Sequence, residues 1–261
     1  MKVVILCGGL GTRLREETEF RPKPMVEIGG RPILWHIMKI YAHSGFREFV
    51  LCLGYRGNMI KEYFLNYEAM NNDFTICLGT ESRIRYNGLH TEQGFEVTLA
   101  DTGLNTMTGG RVKKIADYLH EDLFMLTYGD GVGDIDIPRL LEFHKSHGKL
   151  ATVTTVTPSS RFGMIDSNSI GRVMHFEEKP KTSARASAGF FILNRRVLDY
   201  ITGDDCIFER EPLERLANEG QLMAYQHEGF FYAMDTYREY EYLNQLWNSD
   251  KAPWKVWKGQ G

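Results

Sequence analysis

Val3-Val4-Ile5-Leu6-Cys7-Gly8-Gly9-Leu10-Gly11-Thr12-Arg13-Leu14, with Arg21-Pro22-Lys23-Pro24-Met25 close behind, is the stretch that decides the fold. Val3 to Cys7 is a short apolar run rich in β-branched residues, which predicts a buried strand. The glycines follow at once. A buried strand that feeds a glycine-rich turn leaves backbone N–H groups open, with no side chains in the way. Such a turn, opening onto a helix start, suits phosphate. Arg13 adds a bidentate donor and Lys23 a mobile point charge. Glycines plus two cations near one strand end predict a site for a nucleoside triphosphate. Gly9-Leu10-Gly11 also begins a dinucleotide fingerprint, but Leu14 stands at the third glycine position. The Gly-Lys-Ser/Thr of a P-loop is absent.

Outward from this stretch the chain alternates strands and helices. Ile33, Leu34, Ile37, Ile40 and Tyr41 fall on one helical face, and Pro32 suits a first turn. Phe49 to Leu53 reads as a buried strand, and Gly54-Tyr55-Arg56-Gly57 turns into a helix with Ile60, Tyr63 and Phe64. Phe74 to Leu78 reads as a short strand, Glu81 to Gly94 as a mobile loop, and Glu96 to Leu99 as a strand. Gly109-Gly110 precedes a helix with Val112, Ile115, Ala116 and Leu119. Leu123 to Thr127 and Leu150 to Val156 are buried strands flanking a helix marked by Ile137, Leu140, Leu141 and His144. Beyond them the pattern is mixed, with strands at Arg172 to Glu178, Ala188 to Leu193 and Leu222 to Tyr225. Helices are expected at Arg195 to Ile201, Pro212 to Asn218 and Tyr237 to Trp247. Alternation followed by antiparallel elements predicts one doubly wound sheet with a substrate-side elaboration. Ligands of such sheets lie outside the strand carboxyl ends. That places Gly8 to Arg13, Gly54-Tyr55 and Asp130 around one crevice.

The bulk numbers fit a single large domain: 261 residues, 25% charged and 43% hydrophobic. The formal net charge of −3 argues against broad nucleic-acid binding. No apolar run reaches membrane-spanning length, and the first apolar stretch is too short for a signal peptide. Cys7, Cys52, Cys77 and Cys206 are scattered, with no Cys-x-x-Cys pair. Cys7, Cys52 and Cys77 sit in strand-like segments and read as small buried hydrophobes in a reducing compartment, the cytoplasm.

Three further constellations carry chemistry. Tyr128-Gly129-Asp130-Gly131 follows an apolar run, so its carboxylate can reach a hard cation with little obstruction; the alternative is a Gly-Asp-Gly tight turn. Asp235 also follows an apolar run, just before a helix, where the alternative is an N-cap. Two such aspartates suit a magnesium ion that bridges a triphosphate and a sugar phosphate. Glu177-Glu178-Lys179-Pro180 offers a carboxylate for sugar hydroxyls and a lysine for a phosphate, or else a solvated charge cluster. Phe162-Gly163-Met164-Ile165 and Ser187-Ala188-Gly189-Phe190 flank it in sequence and are candidates to line the same pocket.

On these residues the chain resembles the sugar-1-phosphate nucleotidyltransferases. Gly8 to Leu14, Pro22 to Gly30, Ile33 to Lys39, Gly54-Tyr55 and Ile60 to Phe64 match. So do Thr127 to Gly131, Arg161 to Gly163, Glu178 to Pro180 and Met234 to Thr236. Asp101-Thr102-Gly103, Met107 to Arg111 and the tail Lys251-Ala252-Pro253-Trp254-Lys255 are similar to the cytidylyl branch that acts on glucose 1-phosphate. The resemblance implies an α/β fold with a doubly wound, Rossmann-like mixed sheet, a sugar-binding elaboration and a C-terminal helical tail. It implies one domain over 1–261, with 1–135 mainly nucleotide-binding, 136–235 mainly sugar-phosphate-binding and 236–261 the C-terminal helix and tail. CTP and α-D-glucose 1-phosphate would give CDP-glucose and pyrophosphate, with Mg2+ as cofactor, for dideoxyhexose and surface polysaccharide synthesis. Leu6, Gly8, Gly9, Gly11, Thr12, Arg13 and Gly129 would hold the nucleotide. Arg13 and Lys23 would be catalytic, Lys23 bridging phosphates in the transition state. Thr106 and Arg111 would lie near the nucleotide, Arg111 over its phosphates. Asp130 and Asp235 would hold the metal. Gly163, Glu178, Lys179, Ser187 and Gly189 would take the sugar phosphate. The resemblance also implies a homo-oligomer. One departure is plain: Ser187-Ala188-Gly189 stands where the family has Asn-Gly-Gly, so a hydroxyl replaces an amide.

Rivals remain at this point. A nicotinamide oxidoreductase is suggested by Gly9 and Gly11, against which stand Arg13, Lys23 and Leu14. A UTP- or dTTP-using sibling differs only in contacts to the base, which the sequence does not locate. A noncatalytic sugar-nucleotide sensor would have no need of Lys23 and both aspartates.

Overall fold

The computed structural model describes residues 1–12, 14–79, 83–158, 164–177 and 184–257. Its centre is a seven-stranded sheet. In chain order the strands are β1 (Val3–Leu6), β2 (Glu48–Leu53), β3 (Glu96–Asp101), β4 (Leu123–Tyr128), β5 (Ala151–Val156), β6 (Ala186–Asn194) and β7 (Leu222–Gln226). They lie in the order β7-β5-β6-β4-β1-β2-β3. Only β6 runs against its neighbours: it is antiparallel to both β4 and β5, and every other pair is parallel. This is the doubly wound, mixed sheet that the sequence predicts.

The longer helices among the described residues are α1 (Ile33–His43), α2 (Gly57–Leu65), α3 (Thr108–Lys114), α4 (Ile137–His147), α5 (Glu211–Asn218) and α6 (Tyr237–Asn248). Alternate side chains of a strand point to opposite faces, and the core divides accordingly. Val3 and Ile5 join one buried cluster with residues of α1, α4 and α6. Val4 and Leu6 join a second with Val112, Ile115 and Phe208. Because both faces are covered, β1 reads as a continuous apolar run.

Several elements differ from expectation. Helix α1 is buried nearly all round, from Ile33 to Tyr41, although only one apolar face was read for it. The C-terminal segment supplies the second cover. Trp254 is fully buried, its indole N–H donates to His36 Nδ1 at 3.3 Å, and Trp247 and Trp257 close around Trp35 and His36. These aromatics therefore pack a tail onto its own subunit. Gly109 and Gly110 lie inside α3, not before it. A Cβ on either would come within 2.8 Å of the Cys206 carbonyl or 2.7 Å of the Asp204 backbone, so close backbone approach explains the pair.

The segment read as a loop from 81 contains a strand. Arg83–Tyr86 pairs antiparallel with Phe74–Cys77 in a separate hairpin. Both strands are exposed throughout, and Cys77 is exposed with them, unlike Cys7, Cys52 and Cys206. An exposed ribbon shows no burial period, which is the signal that sequence reading uses. Among the described residues no helix is long and apolar enough to cross a membrane.

Candidate active site

The carboxyl ends of β1, β2, β3 and β4 open on one edge of the sheet. Because β6 is reversed, its start at Ala186 and Ser187 reaches the same edge, where Ser187 pairs with Thr155. Gly8, Gly54 and Asp130, each just past the end of its strand, therefore lie along this edge.

The turn after β1 is built glycine by glycine. Gly8 is buried, and a Cβ there would fall inside the Arg111 guanidinium. Gly11 has φ +64°, and its carbonyl accepts from Leu14 N at 3.1 Å and Thr18 Oγ1 at 2.8 Å. Gly9 is exposed, and a Cβ on it would meet nothing within 4 Å. Its open face is where an anion can approach the backbone. Thr12 and Leu10 are exposed beside it. The helix expected behind the turn is a single turn, Arg15–Thr18. A helix that short adds little dipole, so anion binding would rest on the turn's own N–H groups. Arg13 lies outside the described residues.

Arg111, expected near the nucleotide, lies beneath the turn. It is 4% exposed. Its Nη1 donates to the carbonyls of Leu53 at 2.9 Å and Gly103 at 2.8 Å and to Thr102 Oγ1 at 2.7 Å. Its Nη2 donates to the carbonyls of Gly8 at 3.1 Å and Leu104 at 3.2 Å. One guanidinium thus ties together the segments leaving β1, β2 and β3. The fixed fork of five donors suits this: it adds a donor to the Leu53 and Gly8 carbonyls, which already accept from Thr102 N and Tyr55 N, and meets those of Gly103 and Leu104 as well. In this conformation Arg111 is a strut that positions the turn. Thr106 is likewise buried, and its hydroxyl accepts from Lys114 Nζ at 3.0 Å in a network with Asp204.

Lys23 and the two aspartates come together, although Lys23 and Asp235 stand 212 positions apart. Lys23 Nζ donates to Asp130 Oδ2 at 2.6 Å and to Asp235 Oδ1 at 2.7 Å. Burial pulls the Lys23 ammonium down, but the charge of Asp130 and the hydrogen bonds of both carboxylates hold it above its ordinary value. Three local devices set this up. Lys23 begins a short 3-10 turn between Pro22 and Pro24, which fix its backbone. Gly129 lets Pro24 close in: a Cβ there would lie 2.9 Å from Pro24 Cγ and from the Leu6 carbonyl, which accepts from Gly129 N at 3.0 Å. Gly131–Gly133 pairs with Phe231–Ala233, and Met234 N donates to the Asp130 carbonyl at 2.9 Å. That ladder brings Asp235 beside Asp130. The N-cap of α6 is Thr236, in a capping box with Glu239, so Asp235 is not the cap.

The sugar side is described in part. Gly163, Glu178 and Lys179 lie outside the described residues. The hairpin Met164–Ser167 with Val173–Glu177 sits between them. Ser187 is exposed, and its Oγ accepts from Gly189 N at 3.2 Å. Gly189 has φ +73°, and a Cβ on it would run into the Tyr128 ring. Tyr128 in turn donates to Glu209, a pairing with no local signal, since the two residues stand 81 positions apart. A cavity of about 360 Å3 between α1, α2 and β3 is a different place, lined by none of the residues above.

A Lewis-acid cation fits this donor set. The Lys23 ammonium already sits between the two carboxylates, and magnesium takes one or two protein carboxylates with waters and phosphate oxygens.

Comparison with known proteins gives the family. The family model "Nucleotidyl transferase" matches residues 2–238. The chain is 52% identical, over 99% of its length and all of the relative's, to glucose-1-phosphate cytidylyltransferase of Salmonella typhimurium. It is 43% identical, over 98% of its length and all of the relative's, to the probable glucose-1-phosphate cytidylyltransferase of Bacillus subtilis. The crystal structure of HddC from Yersinia pseudotuberculosis shares the fold, with TM-score 0.68 at 22% identity, covering 94% of this chain and 99% of that one. The chain belongs to the nucleotidyl transferase family.

Proposed function

We propose that this protein transfers the cytidylyl group of CTP to α-D-glucose 1-phosphate, giving CDP-glucose and pyrophosphate. The meeting of Lys23, Asp130 and Asp235 at the edge where the glycine turn opens carries the chemistry. The names and full-length identity of the two cytidylyltransferase relatives support the substrates.

No covalent nucleophile is needed. A phosphate oxygen of glucose 1-phosphate attacks the α-phosphorus in line, the bond to the pyrophosphate oxygen breaks, and the electron pair leaves with pyrophosphate. The obstacle is repulsion between two polyanions, so catalysis is positioning and charge neutralisation. The turn from Gly8 to Thr12 would hold the triphosphate by its N–H groups, with Arg111 keeping it in place from below. Lys23, with Arg13, would neutralise charge that builds on the phosphates. Glu178, Lys179 and Ser187 would seat the sugar phosphate. Asp130 and Asp235 would hold Mg2+, which supplies Lewis-acid stabilisation of the phosphate oxygens and the leaving group. In this reading residues 1–135 mainly serve the nucleotide and 136–235 the sugar phosphate, in a homo-oligomer working in the cytoplasm, where the four unpaired cysteines stay reduced.

The test is pyrophosphate release with glucose 1-phosphate and magnesium, comparing CTP, UTP, dTTP, GTP and ATP. A strong preference for CTP is expected. Equal turnover with another triphosphate would remove the base assignment and keep the reaction class. No release with any of them would point to a different sugar phosphate, in line with Ser187, or to the sensor.

A further inference from the structure

We propose that Lys23 is a displaceable occupant of the metal site: its ammonium holds Asp130 and Asp235 together in the free protein, and it gives way when a divalent cation enters. This rests on the assignment of those aspartates to the metal in the proposed function. The geometry is the argument. The ammonium contacts one oxygen of each carboxylate, at 2.6 and 2.7 Å. Magnesium binds oxygen at about 2.0–2.1 Å, so a cation using those oxygens takes the place the ammonium now fills.

The Lys23 backbone is pinned between Pro22 and Pro24, while its four-carbon stem is free to swing. Its side chain is 12% exposed in the paired state. The turn beside it offers an alternative anion whenever a triphosphate is bound there. Three states follow. In the free protein Lys23 competes with metal and weakens its binding. With nucleotide present Lys23 has another partner, and metal binds more tightly. By linkage the metal must then raise nucleotide affinity by the same factor. Cation and nucleotide would enter as a cooperative pair, with one lysine as the coupling element.

The experiment titrates Mn2+ by electron paramagnetic resonance into the nucleotide-free protein, comparing wild type, Lys23→Met and Asp130→Asn. Removing two charge-assisted hydrogen bonds that oppose metal entry should tighten Mn2+ binding about tenfold or more in Lys23→Met. Unchanged or weaker binding in a Lys23→Met protein with wild-type circular dichroism would overturn the exchange. A second readout uses the wild-type chain. Lys23 should be acylated slowly by an amine reagent relative to the exposed Lys145, and its labelling should rise with Mg2+ and saturate. A rate that stays flat or falls would overturn the proposal even if Lys23→Met does not fold. If CTP-dependent pyrophosphate release holds while Lys23→Met changes nothing, the exchange alone fails. If Asp130→Asn also leaves Mn2+ affinity untouched, the metal assignment fails with it.

Discussion

At Gly8 and Gly9 two adjacent residues of one type answer to opposite constraints. Gly8 makes room for the protein: its missing Cβ is where the Arg111 guanidinium lies. Gly9 faces open space. Gly8→Ala should therefore cost about 1–3 kcal/mol of stability, as overpacking does. Gly9→Ala should leave stability within about 0.5 kcal/mol and raise KM for the triphosphate. Urea unfolding and initial rates on both variants separate the two, and equal stability losses would dismiss the distinction. For Lys23 the expected loss lies in turnover. Lys23→Ala should lower kcat by about a hundredfold or more, by analogy with removal of one transition-state donor, and near-normal turnover would take it out of the chemistry. The sequence singles out Gly8, Gly9 and Lys23 as candidates, because glycines and cations at a strand end have few other uses in combination. The role of Arg111 as a tie between the segments after β1, β2 and β3 was not legible, because the carbonyls it meets belong to three separate stretches of chain.

Among the elements, those with strong periods were legible and those held by distant partners were not. The run Val3 to Leu6, buried on both faces, and α4, with its apolar stripe, stand where expected. The exposed hairpin of Phe74–Cys77 and Arg83–Tyr86 was missed in part because it buries neither face. The burial of Trp35 and His36 on the outer side of α1 was missed because their cover arrives from the chain's far end, and that of Lys39 because its partner Glu92, at 3.0 Å, lies in the segment read as a loop. Trp254 is the centre of that cover, stacked on Trp247 with ring centroids 6.3 Å apart and on Phe230 at 5.6 Å. Trp254→Ala should destabilise the protein by about 3–5 kcal/mol, the usual cost of emptying a buried aromatic site. The loss should appear as a lower urea midpoint. Stability close to wild type would mean that the tail is not part of the folded core.

At the scale of the whole molecule, burial of neutral histidines on the two sides of α1 and α4 makes stability depend on pH above the range where carboxylates titrate. His36 is fully buried, with Nε2 bonded to the Ile28 carbonyl at 2.9 Å and Nδ1 accepting from Trp254, so both nitrogens are used by the neutral ring. Burial pushes its pKa down to about 4, against backbone bonds to Ile28 and Arg31 that pull it up. His144 is buried against Thr152, and burial with the charge of His147 lowers it to about 4. The folded values lie below the unfolded value of about 6.5. Between pH 6.5 and 4 the unfolded chain therefore binds more protons than the native one, and stability falls as pH falls. From pH 7 to 5.5 each histidine should remove about 1 kcal/mol, and together about 2. Urea midpoints at the two pH values measure the slope. His144→Gln should flatten it by about half, while a slope unchanged in that variant would show that His144 is not a source of the loss.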